Sequence, residues 1–113
     1  MIYAFIGLLL GIIVGVILPV TYPAAYTLYI SVAILSSLDS VFGGLRASLE
    51  NKFNTEIFVT GFFGNAILAA FLAFIGDKLG VPLYYAAIFA FGSRLFQNFA
   101  IIRRHLFERM HTH

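Results

Sequence analysis

Cysteine is absent from the 113 residues, and charged side chains make up only 11% of them. Without cysteine there is no disulfide framework, no thiol nucleophile and no thiolate metal site. Soluble domains carry about 25% charged residues, and a chain of this length forms one domain. A single small core cannot hide a composition that is 61% hydrophobic, so the excess must face lipid. No basic stripe interleaved with aromatics lies outside the apolar stretches, which argues against a nucleic acid partner. No nucleophile–base constellation, phosphate loop or zinc-type spacing occurs, so neither an enzyme nor a cofactor is expected. His111 and His113 by themselves do not make a metal site. No low-complexity segment or interdomain linker is visible.

What the chain does have is four apolar stretches, at about 2–20, 24–45, 57–76 and 82–102. Each is close to the roughly 20 residues needed to cross about 30 Å of hydrocarbon. Backbone groups in lipid must be satisfied within their own segment, so the stretches read as helices. The alternating strands of about ten residues that a membrane barrel requires are missing. The first stretch lacks a basic leading region, and its apolar run is too long for a signal peptide, so it is expected to remain as a span. The expected fold is all-α: one polytopic membrane domain over residues 1–113, with four transmembrane helices in two antiparallel hairpins. The two hairpins, each with a proline-containing turn and a basic inner end, suggest an old duplication, although their residues match poorly.

Orientation follows from the connections. The link 46–56 holds Arg46 and Lys52, and the tail 103–113 holds Arg103, Arg104 and Arg109. The turns on the other side hold only Lys78. The positive-inside rule therefore places both termini and the link in the cytoplasm of a bacterial inner membrane protein. Tyr22, Tyr26, Tyr29, Tyr84 and Tyr85 gather at the opposite boundary, where an amphipathic ring is favoured. Pro23 and Pro82 fit first helical turns, and Asn54 or Thr55 can cap the third helix.

Small residues mark candidate packing faces. Gly7, Gly11 and Gly15 recur every fourth residue and let backbones approach closely in lipid. They suit either another helix of the same chain or a second copy. Gly61, Asn65, Ala69 and Ala73 form a similar face on the third span, and Ala86, Ala90, Arg94 and Asn98 on the fourth. Phe62, Phe63, Phe71 and Phe74 read as lipid-facing bulk.

The most informative residues are polar ones inside these stretches. Asp39 lies seven residues before Arg46, roughly 10 Å inside its helix, and Arg94 nine residues before Arg103, roughly 13 Å inside. Asn65 falls at a similar depth. An isolated Arg or Asp at mid-membrane costs roughly 2.5–3.5 kcal/mol, and pairing offsets much of that. An Asp39–Arg94 pair is therefore expected. Asn65, Gln97 and Asn98 could supply further donors and acceptors, and Ser36 and Ser40 flank Asp39. Three readings of this layer stay open: a lock that fixes helix register, a docking site for another transmembrane protein, or a path for an ion, proton or lipid headgroup. Arg46 reads as a surface residue, and Glu50 and Glu56 as solvated link charges. In the tail, Ile102, Leu106, Phe107 and Met110 recur at helical spacing beside Arg103, Arg104 and Arg109, which fits a helical extension on an anionic leaflet.

The strings "LDSVFGGLRA", "FVTGFFGNAILA" and "FAFGSRLFQNFAIIRRHL" resemble the bacterial small basic protein family over nearly the whole chain. The resemblance implies a small integral membrane protein of bacteria, from a family of unknown function whose genes often lie beside cell-division and envelope genes. It carries no catalytic residues over to this chain. The expected function is a non-enzymatic scaffold or accessory component of the envelope or division machinery, working by helix–helix association. Its partners would be the bilayer and either further copies of itself or other membrane proteins. The competing expectation is an oligomeric channel or transporter subunit with Asp39 and Arg94 lining a path.

Overall fold

The computed structural model describes residues 2–18 and 26–111. It is all-helical, with α1 at Ile2–Ile17, α2 at Thr27–Leu49, α3 at Thr55–Leu79 and α4 at Tyr84–His111. The three long helices, α2, α3 and α4, are long and apolar enough to cross a membrane. α1 is a shorter apolar helix of 16 residues. The first turn, with Tyr22 and Pro23, and the terminal His113 lie outside the described residues.

Local chemistry sets the helix ends. The Asn54 side chain accepts a hydrogen bond from the Ile57 N–H at 3.1 Å, satisfying one of the first-turn donors that a helix leaves open. α3 ends at Gly80, whose φ of 71° is left-handed and suits glycine. The Val81 N–H then returns to the Gly76 carbonyl at 2.9 Å. Gly76 is needed for a second reason: a Cβ there would overlap the Val81 carbonyl oxygen. The connection to α4 is therefore tight. Pro82 stands just ahead of that helix, and its carbonyl accepts from the Tyr85 N–H. α2 runs past the expected boundary at 45 to Leu49, so Arg46 is a helical residue and the link shortens to 50–54.

α2 is the central element. Its buried positions Val32, Ser36, Asp39 and Val41 meet α4 and α3. Along α4 the buried or paired residues are Ala87, Phe91, Arg94, Asn98, Ile102 and His105. Steps of three and four residues make this one continuous seam on a helix. Partner numbers rise together across the seam (Asp39 with Arg94, Arg46 with Asn98, Glu50 with His105), so α2 and α4 run in the same direction.

α3 joins through small side chains. Ala69 and Ala73 are each 1% exposed. Ala69 completes a core with Val32, Ala87 and Phe91. In hydrocarbon there is little hydrophobic drive between helices, and close approach through small residues supplies dispersion contact instead. On α4 this contact uses Ala87 and Phe91, one position round from the expected Ala86 and Ala90, which face outward. Phe63, Phe71 and Phe74 are exposed, while Phe62 is half-buried.

α1 differs from the rest. None of its residues is buried, and among the described residues it approaches only α2.

Candidate functional site

Asp39 and Arg94 sit midway along the α2–α4 seam. The Arg94 Nη2 donates to Asp39 Oδ2 at 2.6 Å, a charge-assisted bond across two helices. Asp39 is 4% exposed, and the Arg94 side chain is 49% exposed. The guanidinium also lies 5.5 Å from the centre of the Phe91 ring, within cation–π range. Asn98 follows one turn after Arg94 and is buried. Its Oδ1 accepts from Arg46 Nη1 at 3.2 Å.

A cavity of about 240 Å³ opens beside the pair, between α2, α3 and α4. Asp39, Ser40, Asn65, Arg94 and Asn98 line it together. The expected polar layer thus converges on one chamber, with one exception. Gln97 is exposed and does not line the cavity. It is one position off the seam, and that 100° turn carries it away from α2. Phe53, Ile57, Phe58 and Phe62 also line it. Gly43, Gly44 and Gly61 leave the space open. Ser36 Oγ and Ser40 Oγ are buried and have no hydrogen-bond partner among the described residues. Ser31 and Ser37, by contrast, donate to carbonyls four residues back.

A second ionic group continues the seam toward the end of α2. Glu50 Oε2 lies 3.2 Å from His105 Nε2 and 3.5 Å from Arg46 Nε. The hydrogen bond with His105, helped by Arg46, holds the Glu50 carboxyl below the usual carboxylate range. Arg109 Nη2 donates to the Leu49 carbonyl at 3.1 Å. The arginine expected at the surface and the glutamate expected in solvent are therefore both engaged. Their signal in the sequence is the continuation of the α2 seam through 39, 43, 46 and 50, which an early helix end at 45 conceals. Of the three tail arginines, Arg103 and Arg104 are exposed, whereas Arg109 touches the end of α2.

The packing candidates divide. Ala69 and Ala73 are contact residues, and Gly61 lines the chamber. Among the described residues Gly7, Gly11 and Gly15 meet no neighbour: a Cβ at any of them would find nothing within 4 Å. They face an apolar groove of about 910 Å³ bounded by α1, α2 and α3. Among the described residues no cluster of three or more His, Cys, Asp or Glu could hold a metal.

Fold and site together define a small all-helical protein with three helices long and apolar enough to cross a membrane and an ion-paired polar seam. The chain belongs to the family described as "Protein of unknown function (DUF1290)", which matches residues 22–107. The "Small basic protein" of Bacillus subtilis (strain 168) is 56% identical over 81 residues, covering 72% of this chain and 67% of that one. "Uncharacterized protein Mb1855" of Mycobacterium bovis is 46% identical over 81 residues, covering 70% of this chain and 67% of that one. "Uncharacterized protein Rv1824" of Mycobacterium tuberculosis matches to the same extent, 46% over 81 residues. No solved structure matches the chain. The family match takes in α2 and α3 and most of α4, and α1 lies ahead of it.

Proposed function

We propose that this protein is a non-enzymatic membrane scaffold or accessory protein that works by helix–helix association. The bundle inserts in the bacterial inner membrane as two antiparallel hairpins, with both termini cytoplasmic. α2, α3 and α4 form the ion-paired body, and α1 is the arm that engages a second copy or another membrane protein. Arg103 and Arg104, with Arg109, lie against anionic headgroups. A role in the envelope or division machinery is what the family resemblance adds.

One observation carries this reading. Among the described residues α1 buries none of its side chains, and its glycine strip meets no neighbour across an apolar groove. Small residues at four-residue spacing are the surface that membrane helices use for close approach. The absence of cysteine makes the test clean, because Gly11→Cys introduces a unique thiol. In-cell crosslinking from that thiol should join the protein to a second copy or to a membrane protein, and Gly7→Leu should abolish the product. A thiol that captures no protein would end the association reading.

The polar chamber supports a second reading, an oligomeric channel or transporter subunit with Asp39 and Arg94 on its path. It requires flux in liposomes that changes in Asp39→Asn and Arg94→Gln. A scaffold conducts nothing in the same vesicles.

A further inference from the structure

We infer that the chamber between α2, α3 and α4 holds the headgroup of an aminophospholipid, with the phosphate on Arg94 and the ammonium toward Asp39. This goes beyond the association reading and uses a different face of the molecule.

The two charged groups are only partly used by each other. Asp39 Oδ2 accepts from Arg94, and Oδ1 accepts nothing among the described residues. A guanidinium has five N–H donors, and the one drawn from Arg94 to Asp39 leaves four. The Arg94 side chain is half exposed, so those donors are reachable. Ser40 adds a buried hydroxyl without a partner on the same wall. Asn65 adds an amide that makes no hydrogen bond among the described residues. A buried polar group left unmatched loses its hydrogen bonds to water without replacement, so the chamber favours a guest carrying both acceptors and donors.

The arrangement selects the sign and order of the guest's charges. An acid and a base side by side present complementary sites to a zwitterion. A phosphate meets Arg94 in the forked geometry that guanidinium favours. A primary ammonium gives Asp39 Oδ1 the donor it lacks, in a chamber also lined by the rings of Phe53, Phe58 and Phe62, and aromatic rings attract cations.

Size and surroundings narrow the guest further. A volume of about 240 Å³ corresponds to roughly eight waters at about 30 Å³ each, which suits a headgroup. A helix of another protein, about 10–12 Å across, does not fit. The wall formed by Ile57, Phe58 and Phe62 is apolar, so acyl chains can leave along it into the bilayer. Phosphatidylethanolamine has this chemistry. Phosphatidylcholine keeps the charges but has no N–H to donate, and phosphatidylglycerol lacks the cation.

The test uses the full chain, stripped of lipid in detergent and titrated with each of the three lipids under native mass spectrometry. Phosphatidylethanolamine should bind about tenfold more tightly than either of the others, one decade in Kd. Gly61→Leu should reduce that binding to the phosphatidylcholine level. Gly61 lines the chamber and a Cβ there meets nothing within 4 Å, so the added side chain starts in open space on that wall. Circular dichroism should show unchanged helicity. The ranking on the unsubstituted chain stands whether or not the variant folds. Equal binding of the three lipids overturns the assignment, and so does a preference that survives in folded Gly61→Leu. If soluble phosphoethanolamine competes as well as the lipid does, the guest is a free zwitterion and the lipid assignment fails. If Gly61→Leu instead dissolves a dimer, the chamber is a protein contact and the assignment fails as well.

Discussion

Asp39 and Arg94 stand 55 positions apart in the chain and meet at 2.6 Å, joining the middle of α2 to the middle of α4. The carboxylate is buried, whereas the guanidinium is half exposed. The pair is therefore asymmetric. Losing the arginine strands a buried negative charge, and losing the carboxylate leaves a cation that can still reach the chamber.

Arg94→Leu should accordingly destabilise the bundle more than Asp39→Asn does. Breaking a buried pair from one side costs about 3–5 kcal/mol, and the exposure of Arg94 places this case at or below the low end. The double substitution Asp39→Asn with Arg94→Gln should recover part of the loss. Reversible unfolding in mixed micelles, followed by circular dichroism, gives the three values.

Two glycines should respond in opposite directions. Gly76→Ala forces a Cβ against the Val81 carbonyl oxygen in the α3–α4 turn and should cost about 1–3 kcal/mol. Gly64→Ala meets nothing within 4 Å and should stabilise α3 by up to about 1 kcal/mol through helix propensity. Thermal melts of the two variants in one detergent check the signs.

Acid should loosen the end of α2. Because His105 and Arg46 hold the Glu50 carboxyl below its ordinary value, its contribution is fully present above the unfolded pKa. It is lost as pH falls through the lowered folded value. The melting difference between the parent and Glu50→Gln should stay constant at neutral pH and shrink below about pH 4. A difference that grows in acid would show that the Glu50 carboxyl is not the group responsible.

The proposed orientation predicts which thiols reagents can reach. In intact spheroplasts an impermeant maleimide should label Lys78→Cys and leave Lys52→Cys untouched until the membrane is broken. Labelling of Lys52→Cys in sealed cells would reverse the assignment of sides.

Much of this bundle is written in simple patterns. Apolar runs of helical length announce the long helices, and opposite charges at like depth announce Asp39 with Arg94. The cap at Asn54 is likewise a local signal. What escapes is rotational. Arg94, Gln97 and Asn98 are neighbours on one helix face, yet only Arg94 and Asn98 meet α2, because the seam turns by small increments that depend on where α2 lies. Ala86 and Ala90 fail for the same reason, displaced by Ala87 and Phe91. Arg46 escapes because a basic residue after two glycines looks like a helix end. The helix continues because Arg46 finds Glu50 and Asn98 instead of solvent.

α4 runs without a break from Tyr84 to His111. At about 1.5 Å per residue its 28 residues reach about 42 Å, well beyond the roughly 30 Å of a hydrocarbon layer. In the proposed membrane orientation the surplus length leans over or projects as a rigid spoke. Arg109 and His105 brace that spoke on the end of α2. One unbroken helix thus carries both the outermost clasp on α2, at Arg109, and the guanidinium near its midpoint.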